Sequence, residues 1–380
     1  MKITDVRCYI YAVSPKRRFV LTFIETDEGI TGVGEGTLSY PHCQAESVVA
    51  AIVACAGDLV GQDPWGVERH WLNLKERWFW RGGPAQWTAL GALDSALWDI
   101  AGKRAGQPVH RLLGGPTLDR VRIYLNQWWG DAESTEAIVD YAHQAVAKGA
   151  TALKWYPFRF IPRFQQPHAV TRAQLRRGIE EVQAVRDAVG PDVDLMVDVW
   201  RRLDLTTAAQ FCEAVEDCGL LFIEEPVDDE NPAALKKLRH MARGRLSTGE
   251  RLFSRMQFRD IVEDRTVDIV QPDVLRVGGI TECRKIAAMA ETYGIGVAPH
   301  NPMGQVATAT SVQLSATLTN FVILERLDDM AIEGGEAVIA ENLPFDRDAY
   351  LLSDKPGLGI TIDEAAVKKM AQTATSHRGR

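Results

Sequence analysis

The stretch VDLMVD (193–198) decides the fold, because five apolar runs of the same kind follow it at nearly constant spacing. Each run carries a charged residue or a histidine at its end, and successive end residues lie 23 to 27 positions apart. The runs and their end residues are VDLMVD with Asp198, LLFIEE with Glu224, RLSTGE with Glu250, VDIVQPD with Asp273, GIGVAPH with His300 and FVILER with Glu325. Short apolar runs separated by helical stretches predict buried parallel strands. A polar residue at the carboxyl end of each strand is typical of a TIM-barrel active site.

The size and composition of the chain limit the classes of protein to consider. At 380 residues the chain exceeds a barrel of roughly 200–250 residues, so a smaller second domain is expected. The net charge of −8 and the lack of a basic run argue against a nucleic-acid partner. No apolar stretch approaches the ~20 residues of a transmembrane helix, so no membrane partner is expected. Six cysteines without a CxxC pair, and no apolar leader in the first 18 residues, predict a reducing, cytoplasmic location.

The segments before and after these six runs predict an α+β capping domain. Residues 1–36 alternate in polarity and predict an antiparallel meander of three strands. Helices are predicted at 43–57, 65–78 and 87–105, and a Gly/Pro break at 108–117 ends this domain. The barrel is predicted over 118–342, with VRIYLN (121–126) and TALKWY (151–156) as its first two strands. The tail, 343–380, with a helix at 363–373, is expected to return to the domain formed by 1–117. The predicted class is therefore α/β.

Three of the strand-end residues predict a metal site. Asp198, Glu224 and Glu250 end three consecutive strands, and neighbouring strands are ~5 Å apart, so their carboxylates can converge on one hard cation. Three oxygen ligands leave room in an octahedral Mg²⁺ shell for water and substrate. A single carboxylate in such a position is equally consistent with a helix N-cap or a salt bridge, but three in register on adjacent strands favour the metal.

The next two strand ends predict an acid–base pair. An aspartate beside a histidine fixes its tautomer and raises its pKa, so Asp273 and His300 are predicted to form a general-base dyad. Lys154 ends the second strand, where it would hold a substrate carboxylate or act as a base, with a salt bridge at the barrel rim as the alternative. Tyr156 is a further candidate for proton transfer. Together these groups suit removal of a proton α to a carboxylate, with the metal holding the enediolate.

Several long stretches resemble the mandelate racemase/muconate lactonizing enzyme family of the enolase superfamily, and in particular its galactonate-type sugar-acid dehydratases. They are ALDSALWDIAGKRAGQPVHRLLGG, FIEEPV, TGERLFSR, VDIVQPDVLRVGGITECRKIAAMAETYGIGVAPHNPMG and KPGLGITIDE. The resemblance implies a modified (β/α)₇β barrel under an N-terminal α+β capping domain that the C-terminal tail completes. It also implies a homo-oligomer with one Mg²⁺ per subunit.

The resemblance assigns roles to individual residues. The implied Mg²⁺ ligands are Asp198, Glu224 and Glu250. His300 and Asp273 become the base dyad, and Glu325 falls where the family places an acid that hydrogen-bonds a substrate carboxylate oxygen. Lys154 matches the first lysine of the motif on the second strand.

Two positions depart from the family pattern. Galactonate-type dehydratases carry a histidine, the general acid, two residues after the first metal ligand, and here that residue is Trp200. The racemase branch uses a second lysine where this chain has Tyr156. An indole cannot usefully protonate a leaving hydroxide. His300 acting on one face, Tyr156 as the acid, or a substrate with a better leaving group are therefore the hypotheses for the elimination.

These departures leave more than one function open. The leading prediction is a Mg²⁺-dependent sugar-acid dehydratase that forms a 2-keto-3-deoxy acid. The alternatives are an epimerase or cycloisomerase of a related hydroxy acid or lactone, and a non-catalytic metal-binding member of the family. The predicted substrate contacts are Trp200, Arg201, Asn126 and Trp155. The segment 12–18 is a predicted lid loop, and the second strand is followed by an insertion rich in Pro, Phe and Arg at 157–172.

Overall fold

The computed structural model describes residues 1–14, 17–38, 44–80, 82–327 and 335–378. Its N-terminal part begins with an antiparallel meander of β1 (Ile3–Ser14), β2 (Arg17–Thr26) and β3 (Thr31–Glu35), as the alternating sequence predicts. Three long helices follow, α1 (Ala45–Leu59), α2 (Val67–Glu76) and α3 (Pro84–Ala105), and then a short one, α4 (Val109–Leu112).

The meander buries both of its faces, which positions it between the helices and the barrel. Val6 and Ile10 of β1 belong to one hydrophobic cluster with the residues of α1 and α3, whereas Tyr9 and Tyr11 belong to the cluster that fills the barrel side. Alternating side chains of a strand point to opposite faces, so one strand serves both cores. The close approach of α3 requires glycine in β3, because a Cβ at Gly34 would overlap the Ala92 carbonyl.

In the described part of the chain, eight parallel strands form the barrel, and seven helices alternate with them. The strands are β4 (Arg120–Asn126), β5 (Ala152–Trp155), β6 (Asp194–Asp198), β7 (Phe222–Glu224), β8 (Leu246–Thr248), β9 (Ile269–Val270), β10 (Gly296–Val297) and β11 (Leu324–Leu327). The helices are α5 (Thr135–Ala147), α6 (Arg172–Val189), α7 (Leu205–Ala214), α8 (Pro232–Met241), α9 (Arg255–Glu263), α10 (Ile280–Thr292) and α11 (Gln305–Ser315). Each strand from β4 to β9 pairs with the next, β11 pairs with β4, and an isolated bridge between Val297 of β10 and Phe321, just before β11, completes the ring. The predicted (β/α)₇β barrel is confirmed.

The tail returns to the meander, but its last element differs from the prediction. It contains β12 (Ile339–Glu341), β13 (Phe345–Asp346), β14 (Ala349–Leu351), β15 (Thr361–Ile362), α12 (Glu364–Met370) and β16 (Ala371–Arg378). The helix predicted at 363–373 ends at Met370, and β16 pairs antiparallel with β1. The side chain of Asp5 accepts hydrogen bonds from Ser376 and His377 in this strand. Pairing with β1 therefore determines the conformation of the end of the tail, although its sequence pattern favours a helix.

The cap is fixed to the end of the barrel where the strands terminate. Glu35, the last residue of β3, is buried and accepts hydrogen bonds from the backbone N–H groups of Gly304 (2.8 Å) and Ala307 (2.9 Å) at the start of α11. Burial raises the pKa of Glu35, and these N–H donors oppose that shift. The division into residues 1–117 with 343–380 and 118–342 stays a prediction. Among the described helices, none is both long and apolar enough to cross a membrane.

Candidate active site

Three carboxylates meet at the carboxyl ends of β6, β7 and β8. Asp198 and Glu224 face each other in the register of β6 and β7, and Glu250 follows β8 by two residues. One oxygen of each lies within 4.8 Å of the others. The Oε1 atom of Glu224 is buried without a hydrogen-bond partner among the described residues, and Asp198 Oδ1 accepts the N–H of Trp200 at 2.7 Å. Buried acidic oxygens that lack protein donors fit a hard divalent cation.

The electrostatics of this cluster also favour a cation. Burial, followed by the charges of Glu224 and Glu250, raises the pKa of Asp198 well above its ordinary value. Burial likewise raises the pKa of Glu224. For Glu250 burial acts in the same direction, but His300 and Arg251 outweigh it and hold the pKa well below its ordinary value. A buried set of mutually repelling carboxylates is most stable when a positive charge joins it.

His300 and Asp273 form the predicted pair. Asp273 Oδ2 lies 2.8 Å from His300 Nδ1, and its other oxygen accepts the N–H of Leu275 at 2.9 Å. The second ring nitrogen, Nε2, lies 3.0 Å from Glu250 Oε2. Burial by itself lowers the pKa of His300, but the charges of Glu250 and Glu325 outweigh burial and raise it to about 10. Since Glu250 makes the largest upward contribution, His300 becomes more acidic whenever the charge of Glu250 is neutralised.

Lys154 and Glu325 belong to a buried network beneath the carboxylates rather than to the cavity wall. Lys154 Nζ donates to Glu224 Oε2 at 2.5 Å and lies 3.3 Å from Glu325 Oε1. Glu325 also accepts hydrogen bonds from the Asn126 side chain and from the backbone N–H of Asn301. Burial acts to raise the pKa of Glu325, but Lys154 and His300 outweigh it and lower the pKa, which favours the ionised carboxylate; its contact with a substrate carboxylate stays a prediction.

The same network changes the expectation for Lys154. Burial by itself lowers its pKa, but Glu224 and Glu325 outweigh burial and raise it well above the ordinary value. An ammonium group held in this way is a poor base, and its contacts are those of a counter-charge. Asn126, predicted to contact substrate, is occupied by Glu325 and does not line the cavity.

A cavity of about 290 Å³ opens above the carboxylates, between the barrel and the cap. It is lined by Arg17, Arg18, Phe19, Thr37, Gln127, Tyr156, Phe158, Arg159, Ile161, Arg163, Asp198, Val199, Trp200, Arg202, Glu250, Arg276, His300, Pro302 and Met303. Of the predicted site residues, five therefore reach it: Asp198, Glu250, His300, Tyr156 and Trp200. The Tyr156 and Trp200 rings are nearly parallel, with an angle of 4° and centroids 6.3 Å apart.

Two predicted substrate contacts point elsewhere. Trp155 is fully buried, and its Nε1 donates to Glu181 of α6 at 3.0 Å. Strand alternation explains this placement, because Lys154 faces the barrel interior and its neighbour must face the helices. Arg201 turns away from the cavity and lies 3.4 Å from Asp228. Neither residue lines the cavity, so the prediction that they contact substrate has no support here.

Sequence reasoning missed most of the arginines on the cavity wall. Arg159 and Arg163 come from the insertion at 157–172, whose Arg-rich composition was the available signal. Arg17 and Arg18 come from the end of the predicted lid loop, of which residues 15 and 16 lie outside the described residues. Arg276 follows Asp273 by three residues, with its Nε 3.6 Å from the Asp273 carboxylate, and no local pattern marks it.

Comparison with known proteins agrees with this fold. Residues 9–114 match the mandelate racemase/muconate lactonizing enzyme N-terminal domain, and residues 137–366 match the enolase C-terminal domain-like family. A D-galactonate dehydratase of Variovorax paradoxus is 34% identical over 372 residues, which cover 97% of this chain and 94% of the relative. A crystal structure of an enolase superfamily member from Salmonella Typhimurium has a TM-score of 0.93 and 32% identity, over 99% of this chain and 100% of that one.

A further solved relative contains bound ligands. It is an enolase from Pantoea ananatis with bound D-gluconate and Mg, with a TM-score of 0.86 and 27% identity, over 97% of this chain and 94% of that one. The two family matches and the 34% identity along nearly the whole chain confirm the resemblance seen in the sequence. The chain belongs to the mandelate racemase/muconate lactonizing enzyme family of the enolase superfamily.

Proposed function

We propose that this chain is a Mg²⁺-dependent dehydratase of a sugar acid. It removes the proton α to the carboxylate, expels the β-hydroxyl group and yields a 2-keto-3-deoxy acid. The observation that carries the proposal is the cluster of three carboxylate oxygens within 4.8 Å of one another, beside the His300–Asp273 pair. The galactonate dehydratase from Variovorax and the gluconate and Mg in the Pantoea structure support a sugar acid and Mg²⁺.

Asp198, Glu224 and Glu250 would hold one Mg²⁺ per subunit through the oxygen ligands that this ion prefers. Bound there, Mg²⁺ supplies Lewis-acid stabilisation for negative charge that develops on the substrate carboxylate. Lys154 donates to Glu224 and orients it, while Glu325 balances the charge of Lys154. These two residues therefore position the site, and we do not assign either of them a proton transfer.

His300 is the proposed base. Asp273 accepts the hydrogen bond from Nδ1–H, so Nε2 is the nitrogen that receives the α-proton. The electron pair of the broken C2–H bond first moves onto the carboxylate, which gives an enediolate, and in a second step it forms the C2=C3 double bond as the C3–O bond breaks. The departing hydroxyl takes a proton and leaves as water, and the enol that remains becomes the 2-keto acid. A general base accelerates proton removal by only about 10²–10⁴-fold, so the negative charge that develops on the substrate must also be stabilised.

The proton for the departing hydroxyl comes from Tyr156 or from His300 itself. Both side chains line the cavity, whereas Trp200 cannot serve as the acid. Burial, and secondarily the charge of Asp198, raises the pKa of Tyr156 well above its ordinary value, so its hydroxyl keeps its proton at neutral pH. We propose Tyr156 as the acid, because it leaves His300 free to act only as the base.

Epimerisation or cycloisomerisation is the second candidate, and Trp200 is the observation that favours it. A chain without a histidine acid at this position suits a substrate that keeps its hydroxyl or releases a better leaving group, such as a ring oxygen. Such a reaction uses the same base and the same carboxylate cluster. It differs only in the fate of the intermediate carbanion.

One experiment separates these candidates. The chain is incubated with Mg²⁺ in D₂O and a panel of aldonates, aldarates and their lactones, and the products are followed by NMR. A 2-keto-3-deoxy acid supports the dehydratase, exchange at C2 without net loss of acid supports the epimerase, and ring opening supports the cycloisomerase. His300→Asn is expected to abolish exchange, and survival of exchange in that variant would exclude His300 as the base. No exchange with any acid, and no effect of Mg²⁺ on stability, would favour a non-catalytic metal-binding protein.

We further propose a homo-oligomer that works in a reducing compartment such as the cytoplasm. The five cysteines among the described residues, Cys8, Cys55, Cys212, Cys218 and Cys283, are all buried and free, which supports a reducing environment. The oligomer rests on family resemblance, and sedimentation velocity at several protein concentrations tests it.

A further inference from the structure

Apart from the carboxylate cluster, arginine is the most frequent residue type on the cavity wall. Six of the lining residues are arginines, and the acidic lining residues are Asp198 and Glu250, both assigned to the cation. A substrate whose reacting carboxylate is bound at that cluster would extend toward this basic wall. If the proposed function is correct, the positive charge of this wall therefore predicts the chemistry of the other end of the substrate.

Four of the six arginines have acidic or amide partners within the protein. Arg159 lies 2.6 Å from Glu181, Arg276 lies 3.6 Å from Asp273, Arg18 pairs with Glu46, and Arg17 donates to Gln127 at 3.2 Å. Arg163 and Arg202 differ from these four. Among the described residues, no carboxylate lies within ion-pair distance of either guanidinium group.

Arg163 and Arg202 share a platform and lie close to each other. Their guanidinium carbons are 5.1 Å and 4.7 Å from the centroid of the Trp200 ring. Arg202 also donates to the backbone carbonyl of Arg163 at 3.0 Å. Burial, and then the charges of Arg163 and Arg201, lower the pKa of Arg202, as expected for a guanidinium group with other cations nearby.

The backbone holds this platform in a specific orientation. Trp200 has a φ of 50° and Arg201 a φ of 60°, a left-handed turn that directly follows the candidate ligand Asp198. The turn is anchored by the hydrogen bond from Trp200 N–H to Asp198. Non-glycine residues rarely adopt this conformation because it is strained, and such turns cluster at ligand sites. The indole that replaces the usual acid thus serves as the surface on which two guanidinium groups are arranged.

We propose that Arg163 and Arg202 bind a second anionic group, at the end of the substrate remote from the reacting carboxylate. The preferred substrates are then sugar acids with two anionic groups, either aldarates or aldonates with a terminal phosphate, rather than simple aldonates; both kinds are here termed dianions. Planar guanidinium groups match carboxylate and phosphate oxygens in fork-like pairs. The cavity of about 290 Å³ lies near the lower end of the range for ligand pockets, which suits a compact sugar acid.

Calorimetric binding tests this proposal without turnover. His300→Asn with saturating Mg²⁺ is titrated with galactonate, galactarate, gluconate, glucarate and 6-phosphogluconate. At least one dianion is expected to bind tenfold or more tightly than its monoanionic counterpart. Adding Arg163→Gln or Arg202→Gln should weaken binding of that dianion by tenfold or more and leave the monoanion within twofold. A preference for glucarate or galactarate identifies a carboxylate site, and a preference for 6-phosphogluconate identifies a phosphate site.

Arg176→Gln on α6 provides the matched control, because Arg176 is exposed, lies outside the cavity and carries the same charge. It should leave all affinities unchanged. Arg163 is itself exposed, so its variant is expected to fold, and thermal melting checks this. The proposal is overturned if monoanions bind as tightly as every dianion, or if the arginine variants weaken both classes equally.

The two proposals can fail separately. If the wild-type chain dehydrates aldonates and the dianions show no preference, only the second anion site is wrong. If no acid exchanges its α-proton but dianion binding still depends on Arg163 and Arg202, the proposed reaction is wrong and the anion site remains.

Discussion

His300 has a carboxylate at each ring nitrogen, and this arrangement ties the charge of the proposed base to that of the proposed ligands. Asp273 lies 2.8 Å from Nδ1 and Glu250 lies 3.0 Å from Nε2. With Glu250 ionised, the pKa of His300 is raised to about 10, and the ring is protonated at neutral pH. A base must be neutral before it can act, so occupation of the carboxylate cluster and readiness of the base are linked through Glu250.

Tyr156 gives the most informative substitution at this scale. If its hydroxyl protonates the leaving group, Tyr156→Phe should retain C2 exchange in D₂O while keto-acid formation falls by 10²-fold or more. The reason is that proton removal by His300 precedes the step that needs the acid. NMR of one reaction mixture gives both rates.

The control is Tyr141→Phe, which removes a hydroxyl outside the cavity that donates to Asp131 at 3.0 Å. It should leave both rates unchanged. A Tyr156→Phe variant in which exchange and elimination fall in equal proportion would contradict the assignment, and unchanged elimination would point to His300 as the acid.

The strands and the residues at their ends could be predicted from the sequence. The segments that contribute residues to the cavity wall could not. The end residues Asp198, Glu224 and Glu250 could be recognised because an apolar run and the polar residue after it are local in sequence. The prediction that Trp155 contacts substrate could have been excluded from the sequence, because the alternation that directs Lys154 inward directs its neighbour outward. Arg163 and Arg276 reach one cavity from separate segments, and only the closed ring of strands brings them together.

The contact between α3 and α10 predicts a pH dependence of stability. Asp94 of α3 is buried and accepts hydrogen bonds from the N–H and the hydroxyl of Thr281 in α10. Burial raises its pKa to about 7, against the opposing effect of these bonds, whereas the unfolded value is about 3.9. The stability contribution of the protonated group is complete below pH 4 and is lost as the pH rises to 7, because the unfolded chain ionises first.

Asp94→Asn removes this titration. Between pH 5 and pH 8 the free energy of unfolding of the wild-type chain should fall by roughly 2–3 kcal/mol more than that of the variant. Urea denaturation at pH 5, 6, 7 and 8 and constant ionic strength measures the difference. Parallel pH profiles for the two proteins would show that Asp94 is not the titrating group.

At the scale of the whole molecule, the candidate cation site makes the stability of the barrel depend on the concentration of divalent cations. Three buried carboxylates meet at the ends of adjacent strands, in a chain whose net charge is already −8. Lys154 lies beside Glu224 and offsets part of this charge, but it also balances Glu325. In the folded chain without a bound cation, burial and mutual repulsion therefore raise the pKa of Asp198 and Glu224 despite Lys154, a cost that the unfolded chain does not have.

Mg²⁺ should consequently stabilise the folded chain. The effect of a ligand substitution on Tm should change sign when Mg²⁺ is added. At a Mg²⁺ concentration 100 times Kd the expected gain is about 2.7 kcal/mol, seen as a rise in Tm. Asp198→Asn should melt above the wild-type chain in EDTA, because it removes one of the repelling charges, and below it in saturating Mg²⁺, because it removes a ligand. Glu180→Gln, an exposed residue of α6, should follow the wild-type chain in both conditions. If Tm is insensitive to Mg²⁺, the carboxylates do not bind this cation. If Asp198→Asn melts below the wild-type chain in EDTA as well, repulsion among the carboxylates does not destabilise the chain that lacks the cation.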